Sequence, residues 1–301
     1  MNSEEVLRLY RFYAIINQIE ALYRINFMIL INRHRYVRFL RVGSKMFEFL
    51  SNLLSDRKGG TVFTCFGIWH ICFIISFLVL GVFSCVYLKN KDADSRKGKI
   101  GLFVNFAFGL YVADFFLMPF AYGEIDVEKL PFHICTAMCV ACFLSRHNSF
   151  FARYKLQFAA LGFLSNLIYL VYPAGVMWYQ THPISYRVIQ TLSFHGIMAA
   201  YGALVLLYES DGFEWKKCYR DLIVIVSMTL WALLGNTMYN SDLRVYNWFF
   251  VTRDPFYMLP QSVAPYVMPF LNVFLFFTVE LLVYSVFIKL SRSINKKLRV
   301  G

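Results

Sequence analysis

The stretch that decides the fold is TVFTCFGIWHICFIISFLVLGVFSCVYL, residues 61–88. It contains no Asp, Glu, Lys or Arg. An α-helix needs about 20 mainly apolar residues to cross the hydrocarbon layer of a bilayer. We therefore predict a transmembrane helix in this stretch.

The composition of the whole chain agrees with a membrane protein. The 301 residues are 58% hydrophobic, 19% aromatic and only 16% charged, and the mean hydropathy is +0.52. In soluble domains, about a quarter of the residues are charged. The apolar excess is concentrated in blocks, which argues against a soluble globular class.

Seven apolar blocks follow one another after residue 60. They cover residues 61–88, 100–122, 131–144, 156–173, 188–208, 220–239 and 265–289. The third block is short, and short spans are often functional or tilted within a bundle. The predicted fold class is all-α, a polytopic membrane helix bundle of about seven transmembrane helices over residues 61–290.

The basic residues predict the topology. The formal net charge is +12, and Lys and Arg concentrate in residues 89–99, 145–155, 209–219 and the tail 291–301. Cytoplasmic loops carry an excess of Lys and Arg, so we predict a cytoplasmic C-terminus. We assign the positive charge to these loops and to the membrane surface, and predict no nucleic-acid partner.

Residues 1–60 form a separate segment with ten Arg and Lys residues. One interpretation is a basic amphipathic helix that lies on the membrane or docks on the bundle. The other is an extra span containing Glu20 and Arg24. The first is favoured, because buried charges cost several kcal/mol unless they are paired. Such a segment could also bind a membrane-protein partner.

Three cysteines stand close together in HICTAMCVACF, residues 133–143. Cys135, Cys139 and Cys142 lie at i, i+4 and i+7, which is one face of a helix. An iron–sulfur cluster needs cysteines on a loop that wraps the iron atoms. A zinc site needs a fourth ligand, which His133 could supply, and a polar second shell. We predict no metal and no cofactor, and interpret Cys139 and Cys142 as packing residues.

Polar residues inside apolar blocks are costly and therefore indicate function. With the predicted topology, several of them fall in one layer of the outer half of the bilayer: Asp114, Cys135, His195, Asn236, Tyr239 and Asn272. The 1.5 Å rise per residue places Cys135 about 6 Å and His195 about 12 Å below their block starts. Interhelical hydrogen bonding is the simpler explanation for any single one of them.

A cysteine and a histidine in one layer suggest nucleophilic chemistry. A histidine that removes the thiol proton makes cysteine a nucleophile, and a third group can fix the imidazole tautomer. His195 is the candidate base. Asp114 or Asn236 is the candidate orienting group or oxyanion donor, and His133 could contribute only if Pro131 distorts its turn.

Three short motifs carry a family resemblance. LPFHIC (130–135), LSFHG (192–196) and GNTMY (235–239) resemble the motif regions of the YwaF-like bacterial integral membrane proteins. The resemblance extends over the seven blocks, about 61–290. Thr136, Phe194 and Thr237 depart from the family pattern, which has aspartate, serine and tyrosine at these places.

The resemblance implies an activity. A eukaryotic relative of that family is a transmembrane acyltransferase that remodels ether phospholipids through a cysteine acyl-enzyme and a histidine, and its fold is similar to that of the androgen-induced lipid-ester hydrolases. By this resemblance, Cys135 is the nucleophile and His195 the base, and the membrane is a bacterial cytoplasmic membrane. The candidate supporting residues, chosen from the polar layer and the motif regions, are Asp114, His133, Asn236 and Tyr239. An alternative alignment puts the relative's cysteine at Phe132, which would make Cys135 a nearby substitute.

Three functions remain open from the sequence. The first is a membrane-embedded lipid acyltransferase or lipid-ester hydrolase acting on a phospholipid or another acyl lipid. The second is a transporter or lipid-binding protein without covalent chemistry, which Glu280, deep in the last block, favours. The third is an accessory subunit that docks on a membrane complex through residues 1–60.

Overall fold

Seven α-helices form the membrane region of the computed structural model, which describes residues 48–51, 54, 61–121, 127–210, 213–241, 245–255 and 257–300. The helices are α1 (Ile68–Lys89), α2 (Ala93–Ala121), α3 (Ile134–Leu144), α4 (Lys155–Val171), α5 (Tyr186–Glu209), α6 (Tyr219–Tyr239) and α7 (Ala264–Val300). Shorter helical turns occupy Val127–Lys129, Ser149–Ala152, Ala174–Trp178, Trp215–Lys217 and Trp248–Phe250. The described residues contain no β-strand.

Six of these helices are long and apolar enough to cross a membrane, and they confirm the predicted all-α membrane bundle. In the described part of the chain, these candidate spans cover Ile68–Lys89, Ala93–Ala121, Lys155–Met177, Tyr186–Glu209, Trp215–Tyr239 and Ala264–Ile294. The chain is therefore an integral membrane protein. The predicted segment 1–60 lies outside the described residues except for 48–51 and 54.

The third predicted block differs from the other six. Its helix, α3, has only 11 residues, about half of what a span needs. Residues 131–133 precede it without helical structure, and His133, the residue before α3, is extended with ψ of 139°. Most of its side chains are buried, so α3 is enclosed by protein within the bundle.

Helix α5 lies at the centre of the bundle. It packs against α1, α2, α4 and α7, and it is the most buried of the six candidate spans. Helix α1, in contrast, buries only His70, Ser84 and Leu88. Its exposed Leu, Val and Phe side chains give it the apolar surface that a lipid-facing helix requires.

Helices α4 and α5 run antiparallel and come unusually close together. Lys155 at the start of α4 pairs with Glu209 at the end of α5, and Asn166 further along α4 meets His195 nearer the start of α5. Between these contacts, a Cβ added at Gly202 would lie 2.6 Å from the Ala159 carbonyl oxygen and 2.7 Å from Phe163 Cβ. Only glycine allows this approach, because the obstructing atoms belong largely to the α4 backbone.

The Gly202 contact predicts a stability effect. Gly202→Ala should lower the free energy of unfolding by about 1–3 kcal/mol, because the added methyl group overpacks the α4–α5 contact. The matched control is Gly109→Ala in α2, where the added Cβ would meet nothing within 4 Å. The control should leave the free energy of unfolding unchanged or raise it by up to about 1 kcal/mol, because alanine has a higher helix propensity than glycine. Thermal unfolding in detergent compares them, and equal melting temperatures for the two variants would contradict the close packing.

Candidate functional site

His195 is held between two side chains of α4. Its Nδ1 lies 2.7 Å from Asn166 Oδ1, and its ring stacks on Tyr169 with the centroids 3.8 Å apart and the planes 14° from parallel. Asn166 and Tyr169 are three residues apart, on the same face of α4. The His195 side chain is therefore fixed in both position and plane, and only 7% of the residue is exposed.

A second hydrogen bond of Asn166 determines the tautomer of His195. Asn166 Nδ2 donates to the carbonyl oxygen of Gly162 at 2.6 Å, so its Oδ1 is the atom that faces the imidazole. That oxygen can only accept, which requires a hydrogen on Nδ1 and leaves the lone pair on Nε2. No described residue forms a hydrogen bond with Nε2. Nε2 is thus available as a proton acceptor for a ligand or a nucleophile.

Cys135 lies in the first turn of α3 and faces the same part of α4. It is 9% exposed and interacts with the hydroxyl of Ser165, the residue before Asn166. Tyr169 lies within electrostatic range of the thiol. No direct hydrogen bond joins the thiol to His195 among the described residues, so α4 connects the two groups.

The first turn of α3 provides a polar environment for the sulfur. The initial N–H groups of a helix have no intrahelical acceptor and carry partial positive charge. No side chain caps this helix at His133, and the amide of Cys135 itself interacts with the sulfur. Helix N-termini favour the thiolate form of cysteine, whereas burial in apolar surroundings favours the thiol. Both influences act on Cys135, which is almost fully enclosed.

A buried ion pair closes the site on the side of α2. Lys129 Nζ lies 3.1 Å from Asp114 Oδ2, so the two groups form an ion pair. The contact does not have the geometry of a hydrogen bond. The hydroxyl of Tyr186 donates to Asp114 Oδ1 at 2.8 Å. Lys129 also donates to Gln190 Oε1 and Thr191 Oγ1, at 3.3 and 3.5 Å. These two residues lie about one turn before His195, so the pair ties the segment before α3 to the start of α5.

The hydrogen-bond partner of His195 differs from the two residues expected from the sequence. Asp114 and Asn236 were the candidates, but Asp114 pairs with Lys129 and Tyr186, and Asn236 binds main-chain atoms of Trp248. The partner of His195 is Asn166. Asn166 is a polar residue in the middle of the fourth apolar block. Its position indicates function for the same reason as the positions of the other polar residues in these blocks.

Asn236 and Asn272 hold the segment between α6 and α7 inside the bundle. Asn236 accepts from Trp248 N at 3.0 Å and donates to Trp248 O at 3.3 Å. Asn272 donates to the carbonyl oxygens of Phe249 and Phe250 at 2.8 and 2.9 Å. Both phenylalanines have positive φ. Since buried irregular backbone requires hydrogen-bond partners, these two asparagines have a structural role here.

The aromatic side chains of two motif regions pack directly on one another. Phe132 lies against Trp248 and Tyr239, with ring centroids 4.9 and 5.8 Å apart. A Cβ at Gly235 would lie 2.4 Å from the Phe132 ring, so glycine makes room for it. His133 approaches Trp248 edge-on at 6.3 Å. Tyr239 and His133 thus belong to the aromatic packing beside α3.

The remaining cysteines of α3 are buried, with Cys139 and Cys142 both 0% exposed and all three thiols free. Within the described ranges, no group of three or more His, Cys, Asp or Glu side chains is arranged to hold a metal ion. The absence of a metal and of a cofactor stays a prediction from the sequence.

The ion pair predicts a coupled loss of stability. Asp114→Asn leaves the Lys129 ammonium without its carboxylate and should cost about 3 kcal/mol, near the low end for a buried pair because Lys129 is partly exposed. Lys129→Met should cost a similar amount. The double variant should lose less stability than the two single variants lose together. A double-mutant cycle from thermal unfolding in detergent measures the coupling, and strictly additive losses would contradict the pairing.

Comparison with known proteins adds no assignment. No protein-family model matches the sequence, and no curated protein or solved structure matches it. The resemblance to the YwaF-like family therefore stays an expectation based on three short motifs.

Proposed function

We propose that the protein is a membrane-embedded lipid acyltransferase or lipid-ester hydrolase. Cys135 is the nucleophile, His195 the general base and Asn166 the orienting residue. The observation that carries the proposal is the hydrogen bond between Asn166 and His195, which leaves Nε2 as the free acceptor of the ring. A Cys–His–Asn set with this division of roles supports acyl transfer on unrelated folds.

The proposed reaction has two steps. His195 Nε2 removes the thiol proton as Cys135 sulfur attacks the ester carbonyl of the lipid, and the protonated ring then returns that proton to the departing alkoxide. This step forms a thioester and releases the lysolipid or alcohol. In the second step Nε2 deprotonates a lipid hydroxyl or water, which attacks the thioester and regenerates the thiol.

The start of α3 supplies the stabilisation of the oxyanion in this proposal. Asn236 was the expected donor, but its side-chain amide is already bonded to the main chain of Trp248. The N–H groups at the start of α3 have no acceptor within the helix, and the amide of Cys135 interacts with the sulfur. Such groups suit a negative oxygen. Cys135 and His195 are both nearly enclosed, so the acyl chain has to enter from the bilayer between helices.

The proposed topology rests on contacts at one end of the bundle. There the basic loops meet: Arg220 donates to the carbonyl of Arg153, and Arg96 stacks on Tyr208 near the end of α5. We assign this end, together with the C-terminus, to the cytoplasmic side. A bacterial cytoplasmic membrane is the proposed location.

Acyl-enzyme formation tests the function. Intact-mass analysis of protein incubated with phospholipids should show an acyl adduct on Cys135. The adduct should disappear in Cys135→Ala and persist in Cys139→Ala, which alters another buried thiol of the same helix. His195→Gln should slow adduct formation about 10²–10⁴-fold, the usual effect of removing a general base. An adduct that survives in Cys135→Ala, or no adduct with any phospholipid, would contradict the proposal.

Orientation in the membrane is tested independently. Single cysteines placed in residues 89–99 and 145–155 should react with a membrane-impermeant maleimide only after the membrane is opened. A cysteine introduced at Gln180, in the loop at the opposite end of α4, should react in intact cells. Labelling of both sets from the same side would overturn the assignment.

A further inference from the structure

A second polar cluster lies at the end of the bundle where the basic loops meet. Asp221 stands in the first turn of α6, and Glu280 and Tyr284 are one turn apart on α7. Asp221 and Tyr284 are 0% exposed and Glu280 is 1% exposed. None of these residues takes part in the site around His195.

The oxygen atoms of this cluster are only partly satisfied. The hydroxyl of Tyr284 donates to Asp221 Oδ1 at 2.7 Å, and Gln157 at the start of α4 also binds Asp221. In the part of the chain that the structure describes, Asp221 Oδ2 and both carboxyl oxygens of Glu280 have no hydrogen-bond partner. Glu280 interacts electrostatically with Asp221, and it lies one turn before Tyr284, whose hydroxyl binds Asp221.

Among the residues that the structure describes, no basic side chain forms an ion pair with either carboxyl group. The described ion pairs join Lys129 to Asp114, Lys155 to Glu209 and Lys217 to Glu214. Two enclosed carboxylates without a positive partner would each cost several kcal/mol and would repel each other. Within the described part of the chain, only a bound positive charge would balance this pair.

We propose that Asp221, Glu280 and Tyr284 form a binding site for a small monovalent cation, Na⁺ or a proton. Three free carboxyl oxygens offer the hard ligands that such a cation prefers, and Gln157 and Tyr284 fix the Asp221 carboxyl. A divalent cation fits less well, because no third acidic, histidine or cysteine side chain of the described residues completes a metal group here.

The site would link three helices and lie far from the proposed Cys–His pair. Asp221 and Asn236 are 15 residues apart on α6, which corresponds to about 22 Å along the helix. Occupancy would join α6 to α7 and, through Gln157, to α4. The same two helices carry Asn236 and Asn272, which hold the segment beside α3. The cation site does not depend on the proposed acyl transfer. A cation bound there would serve ion-coupled transport or ion-dependent stability.

The charged and titratable groups around Glu280 also affect the pH dependence measured for this site. Asp221 on α6 and Tyr284 on α7 interact with Glu280 directly. At this end, Glu209 of α5 pairs with Lys155 of α4, and Arg220 of α6 donates to the carbonyl oxygen of Arg153. Lys289 and Arg292 follow on α7. Gln157 of α4 does not titrate.

The test measures the melting temperature of the full chain in detergent at several pH values, with NaCl or choline chloride at equal ionic strength. A sodium site predicts that Na⁺ raises the melting temperature by about 2–4 °C, most strongly at alkaline pH. A proton site predicts the same rise on acidification, with no difference between the two salts. Either response should vanish in Glu280→Gln and Asp221→Asn.

The matched control is Glu214→Gln, which removes an exposed carboxylate of the same end and should respond like the parent chain. If the cluster variants fail to fold, the parent chain itself gives the answer by labelling with dicyclohexylcarbodiimide, which adds to protonated carboxyl groups in apolar surroundings. Na⁺ should protect Glu280 from it at a sodium site, and acid should promote the reaction at a proton site. A melting temperature unaffected by sodium and by pH, or a response retained in both cluster variants, would overturn the proposal.

Discussion

The close approach of α4 and α5 is the constraint on which the rest of the structure depends. Gly202 brings the two backbones together, and α5 then contacts α1, α2 and α7 from the centre of the bundle. The same spacing puts Asn166 and Tyr169 against His195, two turns before Gly202 on α5. A wider separation would lose both the packing and the hydrogen bond that determines the state of the imidazole. In a bilayer, which provides no hydrophobic force between helices, such small-residue contacts and interhelical hydrogen bonds contribute most of the association.

Glycine and asparagine side by side in the motif regions have complementary functions. Gly235 leaves room for Phe132, and Asn236 next to it fixes the main chain of Trp248, on which Phe132 stacks. Gly196 similarly leaves room for Phe77 beside His195. Aromatic packing therefore positions the start of α3, and with it Cys135, while the ion pair at Lys129 holds the preceding turn. The enclosed, short α3 is possible because this scaffold provides the contacts that lipid would otherwise make.

The sequence was sufficient for the fold class but only in part for the site. Long uncharged blocks predicted the spans, because length and hydropathy alone determine whether a helix can cross a bilayer. Depth along a helix also follows from sequence position, which is why His195 and Cys135 were placed in one layer. Rotation about each helix axis does not follow from position, so Asp114 and Asn236 were better candidates from the sequence than Asn166. Lys129 lies outside the apolar blocks, and only the folded chain brings it to Asp114. The 11-residue length of α3 depends on the extended residues before it and on packing.

The tautomer of His195 is the most direct test of the central claim, because the proposed chemistry requires a lone pair on Nε2. Nitrogen-15 NMR of the histidine-labelled chain in a membrane mimetic distinguishes a protonated ring nitrogen from an unprotonated one by its chemical shift. The His195 signals are identified by their absence in His195→Gln. The account predicts a hydrogen on Nδ1 and none on Nε2 in the parent chain, with this preference lost in Asn166→Ala. A ring protonated at Nε2 and bare at Nδ1 would contradict it.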